Sequence, residues 1–162
     1  MIALSLAAVL LASAPQVGQP IPDFKATDTE GKERSLSEAV QKGTVVVAFF
    51  PKAFTPGCTM QMKAFRDQQT ELEGRGAEVW AVSMDDRETL AKFKKDLGAQ
   101  FTFLPDPEGK IGRLFGVAKE GSKTASRANF VIGEGRKLLA VEEGMGAVNP
   151  DEAIAACPLR KK

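Results

Sequence analysis

The chain has 162 residues, with 22 basic and 21 acidic side chains, two cysteines, no histidine and no tyrosine. This length suits one domain with a single buried core, and a nearly balanced charge without a long basic cluster argues against nucleic-acid binding. The lack of histidine excludes a cysteine–histidine or serine–histidine catalytic pair and a histidine-bound metal, and two cysteines this far apart argue against a structural zinc site.

The chain begins with an apolar run at residues 2–11, followed by a small-x-small pattern that ends at Ala14. This resembles a secretory signal, although the usual basic residue before the apolar run is missing. We expect residues 1–16 to be a signal peptide or an N-terminal extension, a misassigned start codon being another explanation, and residues 17–162 to form a single domain. With a cleaved signal the protein would be periplasmic or secreted, and otherwise cytoplasmic. No stretch has the length of a transmembrane helix, so we expect no membrane association.

The first elements of the domain are short. Residues 17–24 hold two prolines and predict an extended entry, and residues 29–32 predict the turn of a short hairpin. Ser35 or Ser37 then predicts the cap of a short helix over residues 36–40.

The next unit is a strand, a loop and a helix. The β-branched and aromatic run at residues 45–50 predicts a strand buried on both faces. Pro51 ends this strand because proline cannot donate to a sheet ladder. After a loop at residues 52–57, apolar positions at helical spacing predict a helix that ends around residues 74–76. These positions are Cys58, Met62, Phe65 and Leu72.

The second half predicts alternating strands and helices, then a hairpin and a last helix. The predicted strands are residues 77–83, 101–104, 126–132 and 138–143, the last two joined by a turn at residues 133–136. The predicted helices start at Asp85 and Asp86, at residue 108, and at residues 149–152. The last helix carries Cys157 and is cut short by Pro158. This order predicts an α/β fold, a mixed central sheet with helices on both faces.

Cys58 lies where a buried strand passes into the first turn of a helix. Free backbone N–H groups and the positive end of the helix dipole favour an anion at this position, and the thiolate is the reactive form of cysteine. The alternative interpretation is a small buried hydrophobe, since free cysteine is among the most buried residue types.

The stretch at residues 51–59, Pro-Lys-Ala-Phe-Thr-Pro-Gly-Cys-Thr, resembles the peroxiredoxin active-site signature Pro-x-x-x-Thr-x-x-Cys. Followed by Phe-Arg-Asp at residues 65–67, it is most similar to the bacterioferritin comigratory protein branch. The resemblance covers nearly the whole chain after residue 17. It implies a thioredoxin-like fold with an N-terminal hairpin addition.

The same resemblance implies a thiol-dependent peroxidase that reduces hydrogen peroxide and organic hydroperoxides through a sulfenic acid on Cys58. Thr55 would bring its hydroxyl to the pocket, and Pro51 would shield it. Arg127, in a segment similar to the family's Arg-x-x-Phe-x-Ile, would stabilise the thiolate and contact peroxide. For Arg66 an ion pair with a neighbouring acid is the favoured interpretation. No metal, haem or flavin is implied, and the reductant would be a thioredoxin-like or other dithiol protein.

The second cysteine sets this chain apart from its nearest branch. Many members carry a resolving cysteine five residues after the first, where this chain has Lys63. Cys157 is the remaining candidate, and we expect the helix to fray there and free its thiol. It could pair with Cys58 within the chain, pair with a second subunit, or stay idle while an outside thiol reduces Cys58 directly.

Two other functions suit the same fold. One is a redox-sensing or chaperone-like binding protein, in which oxidation of Cys58 changes assembly. The other is a thioredoxin-like disulfide oxidoreductase, which normally needs two cysteines around a helix start, whereas position 55 is threonine. The family includes monomers and homodimers, so both states are open.

Overall fold

A computed structural model describes residues 14–160, so the predicted signal segment lies mostly outside the described residues. The strands are β1 (Lys25–Thr27), β2 (Glu33–Ser35), β3 (Thr44–Phe49), β4 (Ala77–Ser83), β5 (Thr102–Pro105), β6 (Ala128–Ile132) and β7 (Leu138–Glu143). The helices are α1 (Leu36–Lys42), α2 (Pro56–Asp67), α3 (Gln69–Gly74), α4 (Arg87–Leu97), α5 (Lys110–Leu114) and α6 (Asp151–Ala156).

The centre of the fold is a five-stranded sheet with the order β5-β4-β3-β6-β7. β3, β4 and β5 are parallel, whereas β6 pairs antiparallel with both β3 and β7. The predicted mixed sheet is therefore confirmed. β1 and β2 form a separate antiparallel hairpin, which confirms the predicted N-terminal addition.

The central strand β3 is buried along its whole length, as its apolar run predicts. Its side chains alternate between two cores, one on each face of the sheet. Val46, Ala48 and Phe50 pack with α2, α4 and α6 on one face. Val45, Val47 and Phe49 pack with α1 and α5 on the other. Helices thus cover both faces, as predicted.

Most helix limits follow their local signals. Ser35 caps α1 by accepting from the Glu38 amide, and Asp86 caps α4 by accepting from the Thr89 amide. Gly98 ends α4 in the left-handed conformation that glycine adopts without strain. The helix predicted after the loop is wrong in one respect, because the chain breaks at Gln68 into α2 and α3.

The pairing of the strands defines two edges of the sheet. In the register of β3 with β6, Phe49 lies opposite Ala128; we call this the upper edge, where β3 and β4 end. Thr44 pairs with Ala77 where both strands begin; this is the lower edge. Because β6 runs antiparallel to β3, the residue before β6 reaches the upper edge.

None of the helices within residues 14–160 is long and apolar enough to cross a membrane.

Candidate active site

Cys58 and Arg127 meet at the upper edge of the sheet. Cys58 is in the first turn of α2, and its side chain is only 1% exposed. Arg127 precedes β6 and directs Nη2 to the Cys58 Sγ at 3.5 Å. A guanidinium at this distance stabilises a thiolate because its charge is fixed and its donors are held in a rigid fork. The resemblance implied that Arg127 lies beside Cys58, and the structure places the two side chains in contact. Arg127 lies just before β6, however, and not in the strand.

The start of α2 adds donors to this site. The first helical hydrogen bond runs from the Thr59 amide to the Thr55 carbonyl at 2.9 Å. Within the described chain, the amides of Gly57 and Cys58 have no acceptor of their own, so both can donate to an anion. Gly57 also leaves room for the cation, since a Cβ there would lie 3.0 Å from the Arg127 Nη2.

The loop before α2 is held in a tight, strained shape. The Thr55 hydroxyl donates to the Lys52 carbonyl at 2.7 Å, which closes the turn. The Ala53 amide donates to the Asp85 carboxylate at 2.8 Å. Phe54 has φ of 66°, which is unusual for a bulky residue, and its half-exposed ring packs 5.1 Å from the Phe93 ring. Pro51, partly buried, begins this loop directly after the buried Phe50.

Behind Arg127, buried polar side chains form a chain of hydrogen bonds. Arg127 Nη1 donates to Gln61 Oε1 at 2.6 Å, and Gln61 Nε2 donates to Asn129 Oδ1 at 3.0 Å. Asn129 Nδ2 donates in turn to Glu142 Oε2 at 3.1 Å. Burial raises the pKa of the Glu142 carboxyl, and the neighbouring Glu152 carboxylate adds to the rise.

Four side chains around the site were not predicted from the sequence to belong to it: Gln61, Asn129, Glu142 and Asp85. A signal for two of them was present. Gln61 occupies the third position after Cys58 on the apolar face of α2, and Asn129 interrupts the apolar strand β6. A buried polar group must find a hydrogen-bond partner, so a polar residue inside an apolar pattern marks a place where another polar group is near.

Arg66 lies away from this site. It pairs with the Asp67 carboxylate at 2.9 Å and donates to the Leu97 carbonyl at 2.8 Å. The predicted ion pair with a neighbouring acid is confirmed.

Cys157 occupies a different part of the molecule. It follows the last residue of α6, and the Arg75 Nη1 donates to its carbonyl at 3.2 Å. Arg75 in turn precedes Gly76, whose carbonyl accepts from the Thr44 amide at the lower edge. Pro158, next to Cys157, lines one cavity with Thr44 and Gly76. Cys157 thus lies towards the lower edge and Cys58 at the upper edge, and β3 spans roughly 16 Å between these edges, for five residue steps of about 3.3 Å.

A disulfide requires Cα atoms within about 7 Å, so Cys58 and Cys157 cannot bond in this arrangement, and both thiols are free. The expectation that α6 frays and frees the Cys157 thiol is wrong. The helix does end there, but the side chain is 1% exposed and its Sγ donates to the Ala153 carbonyl at 3.2 Å. Burial raises the pKa of this thiol to about 11, against a weaker opposing effect of Arg75.

Among residues 14–160, no group of three or more acidic or cysteine side chains could hold a metal ion.

The chain is similar to known proteins over most of its length. The model of the AhpC/TSA family matches residues 17–141. Peroxiredoxin bcp1 of Schizosaccharomyces pombe is 30% identical over 131 residues, which is 81% of this chain and 67% of that protein. Peroxiredoxin Bcp of Escherichia coli is 36% identical over 107 residues, 66% of this chain and 68% of that protein.

The crystal structure of peroxidoxin BcpB from Mycobacterium tuberculosis has a TM-score of 0.79 and 34% sequence identity to this chain. The match covers 86% of this chain and 94% of that one. The thioredoxin-like fold expected from the resemblance is thereby confirmed.

The state of Cys157 leads to a labelling prediction. With a pKa raised from 9.0 to about 11, the Cys157 thiol holds about a hundredfold less thiolate at neutral pH than an ordinary cysteine. We expect iodoacetamide to leave Cys157 unmodified in the folded, reduced protein and to modify it readily in urea. Mass spectrometry of the alkylated peptides measures both rates, and equal rates in the two states would contradict the burial of this thiol.

Proposed function

The chain belongs to the AhpC/TSA family and is a thiol-dependent peroxidase of the peroxiredoxin type, and we propose that Cys58 is the cysteine that attacks the peroxide. The observation that carries this proposal is the contact of 3.5 Å between Arg127 Nη2 and Cys58 Sγ at the start of α2. Peroxide is the substrate and a thiol is the reductant.

In the proposed first step, the Cys58 thiolate attacks one oxygen of the peroxide in line with the O–O bond. A sulfur–oxygen bond forms, the O–O bond breaks, and Cys58 becomes a sulfenic acid. The departing oxygen gains negative charge and leaves as water or an alcohol once it is protonated. Arg127 and the amides of Gly57 and Cys58 are the donors available to that charge.

The roles of Thr55 and Pro51 are part of this proposal. The Thr55 hydroxyl already donates to the Lys52 carbonyl, so its lone pairs remain as acceptors for a peroxide proton. Pro51 lies in the loop just after β3, where it would limit the access of water to the pocket.

We propose that an outside thiol, and not Cys157, resolves the sulfenic acid. The support is the separation of the two cysteines by the length of β3 and the substitution of the usual second cysteine by Lys63. The outside thiol displaces hydroxide from Cys58 to give a mixed disulfide and water. A second thiol then displaces Cys58, so a dithiol protein of the thioredoxin kind suits the reaction. The thioredoxin-like disulfide oxidoreductase, by contrast, would need a second cysteine near α2.

We also propose that residues 1–16 contain an export signal that is cleaved near Ala14 and that residues 17–162 form the single domain. The support is the apolar run followed by small residues at Ala12, Ser13 and Ala14, immediately before the family match begins at residue 17. Sequencing the N-terminus of protein purified from its own cells tests this. A start just after Ala14 is expected, and a retained Met1 would contradict cleavage of this segment.

Replacing Arg127 tests the active site. We expect Arg127→Ala to slow the reaction with hydrogen peroxide by about a hundredfold or more, the range for loss of a charged transition-state donor. The cost in stability should be about 1 to 3 kcal/mol, because the buried Gln61 Oε1 loses its donor. Arg127→Lys should be intermediate, because it keeps the charge and loses the fork.

The same assay needs two references. Cys58→Ser gives the baseline without a nucleophile, because serine is not ionised at neutral pH. Arg66→Ala is the matched arginine control and should keep the normal rate. An unchanged peroxide rate in Arg127→Ala would refute the role of Arg127, and turnover in Cys58→Ser would refute the site.

Intact-mass analysis and a non-reducing gel test the resolving step. After one equivalent of hydrogen peroxide, we expect the reduced protein to gain one oxygen on Cys58 while Cys157 can still be alkylated after unfolding. Cys157→Ser should turn over at the same rate with an outside dithiol. Loss of two hydrogens would reveal a bridge within the chain, a covalent dimer would reveal one between chains, and either would overturn this proposal. If neither cysteine reacts, Cys58 is better explained as a small buried hydrophobe, whereas oxidation of Cys58 without turnover by a reductant would favour the redox-sensing or chaperone-like binding protein.

A further inference from the structure

A chain of hydrogen-bonded polar side chains extends from Arg127, just before β6, to Glu142 in β7. Its members are Arg127, Gln61, Asn129 and Glu142, joined by the three hydrogen bonds described above. Asn129 and Gln61 are both fully buried. Burying two amides in a core is costly unless each is fully paired, and here each amide is paired at both ends.

The direction of these hydrogen bonds is set at the end away from Cys58. The Asn129 NH₂ group meets two acceptors, Glu142 Oε2 and the Ala147 carbonyl at 3.0 Å. A backbone carbonyl can only accept, so the Ala147 carbonyl favours this orientation of the Asn129 amide, and Glu142 Oε2 supplies the acceptor for the second hydrogen of the same NH₂ group. The Asn129 Oδ1 must then face α2.

This orientation is passed on to Gln61. Because Asn129 Oδ1 is an acceptor, Gln61 turns its NH₂ group towards it, where the Phe49 carbonyl at 3.4 Å is a second acceptor. The Gln61 Oε1 is left to face Arg127, and it accepts from Nη1 at 2.6 Å. With Nη1 held in this way, the planar guanidinium directs Nη2 to Cys58. A reversed Gln61 amide would instead turn its NH₂ group against the cation.

We propose that Asn129 and Glu142 are positioning residues for peroxide reduction, because they fix the Gln61 amide in the orientation that holds Arg127 against Cys58. This inference rests on the proposed function of Arg127. Neither residue contacts Cys58, so both act only through the orientation of the guanidinium. A residue that only filled the core would affect stability without affecting the choice between peroxide and another electrophile.

The test compares two second-order rate constants of Cys58, one with hydrogen peroxide and one with iodoacetamide, well below the melting temperature. Only the peroxide reaction develops charge on a departing oxygen that Arg127 must meet. We expect Asn129→Leu, a substitution of similar size, to lower the ratio of the peroxide rate to the iodoacetamide rate by about tenfold, the size of one hydrogen bond to a charged group. Asp28→Asn is the control. Asp28 is a buried carboxylate paired with Arg34 in the hairpin, so its loss should lower stability and leave the ratio unchanged.

A second substitution makes the test specific. A carboxylate presents an oxygen to Arg127 in either orientation, so Gln61→Glu no longer needs Asn129 to orient it. We expect Gln61→Glu to restore the ratio of Asn129→Leu to within about threefold of the wild type, although the double variant stays less stable. Failure of this rescue while the single variant is slow would overturn the proposal, since the loss would then come from the core and not from the orientation.

The remaining outcomes separate this inference from the proposed function. If Arg127→Ala is slow and Asn129→Leu has a normal ratio, the positioning role fails alone. If Arg127→Ala is itself normal, both fail. If Asn129→Leu does not fold, the pair Glu142→Gln and Glu142→Met decides, because only glutamine keeps an acceptor for Asn129. A ratio about threefold lower for methionine supports the inference, and equal ratios would overturn it.

Discussion

The antiparallel pairing of β6 with β3 is the constraint on which the site depends. Cys58 and Arg127 are 69 residues apart in the chain, and no local element joins them. β3 delivers the chain to the upper edge before α2 begins, and β6 starts at that same edge because Phe49 pairs with Ala128. A shift of this register by one residue would turn Asn129 to the opposite face and remove it from Gln61.

The solvent side and the core side of the Cys58 sulfur differ in backbone strain and in hydrogen bonding. On the solvent side, the loop holds Phe54 in a conformation that bulky residues seldom adopt, and the hydrogen bond from Ala53 to Asp85 restrains it. On the core side, all buried side-chain nitrogen and oxygen atoms of the described residues have hydrogen-bond partners. The pocket therefore has a fully hydrogen-bonded core side, and on the solvent side a strained loop that a few contacts hold in place.

Local patterns were enough to predict the secondary-structure elements but not which side chains of different elements contact each other. A few consecutive residues are enough to predict the buried strand β3, the start of α2 near Cys58 and the caps of α4. Arg127 became a candidate only through the family resemblance, since an arginine before a strand is ordinarily a solvated charge. The relation of Gln61 to Asn129 depends on strand register, which single residues do not encode. The burial of Cys157 was not predicted, because the helix-ending effect of Pro158 carries no information on the contacts that Arg75 and Ala153 make with Cys157.

The position of Cys157 has a kinetic consequence. A cysteine bridge inside one molecule closes at a rate that does not depend on concentration, whereas capture by an outside thiol is bimolecular. The lifetime of the sulfenic acid would then vary inversely with the concentration of reductant. A second peroxide molecule competes for the same intermediate and converts it irreversibly to the sulfinic acid. The fraction of enzyme inactivated in each turnover would follow the ratio of peroxide to reduced thiol. The amount of enzyme that stays active would therefore depend on the peroxide-to-thiol ratio to which it has been exposed.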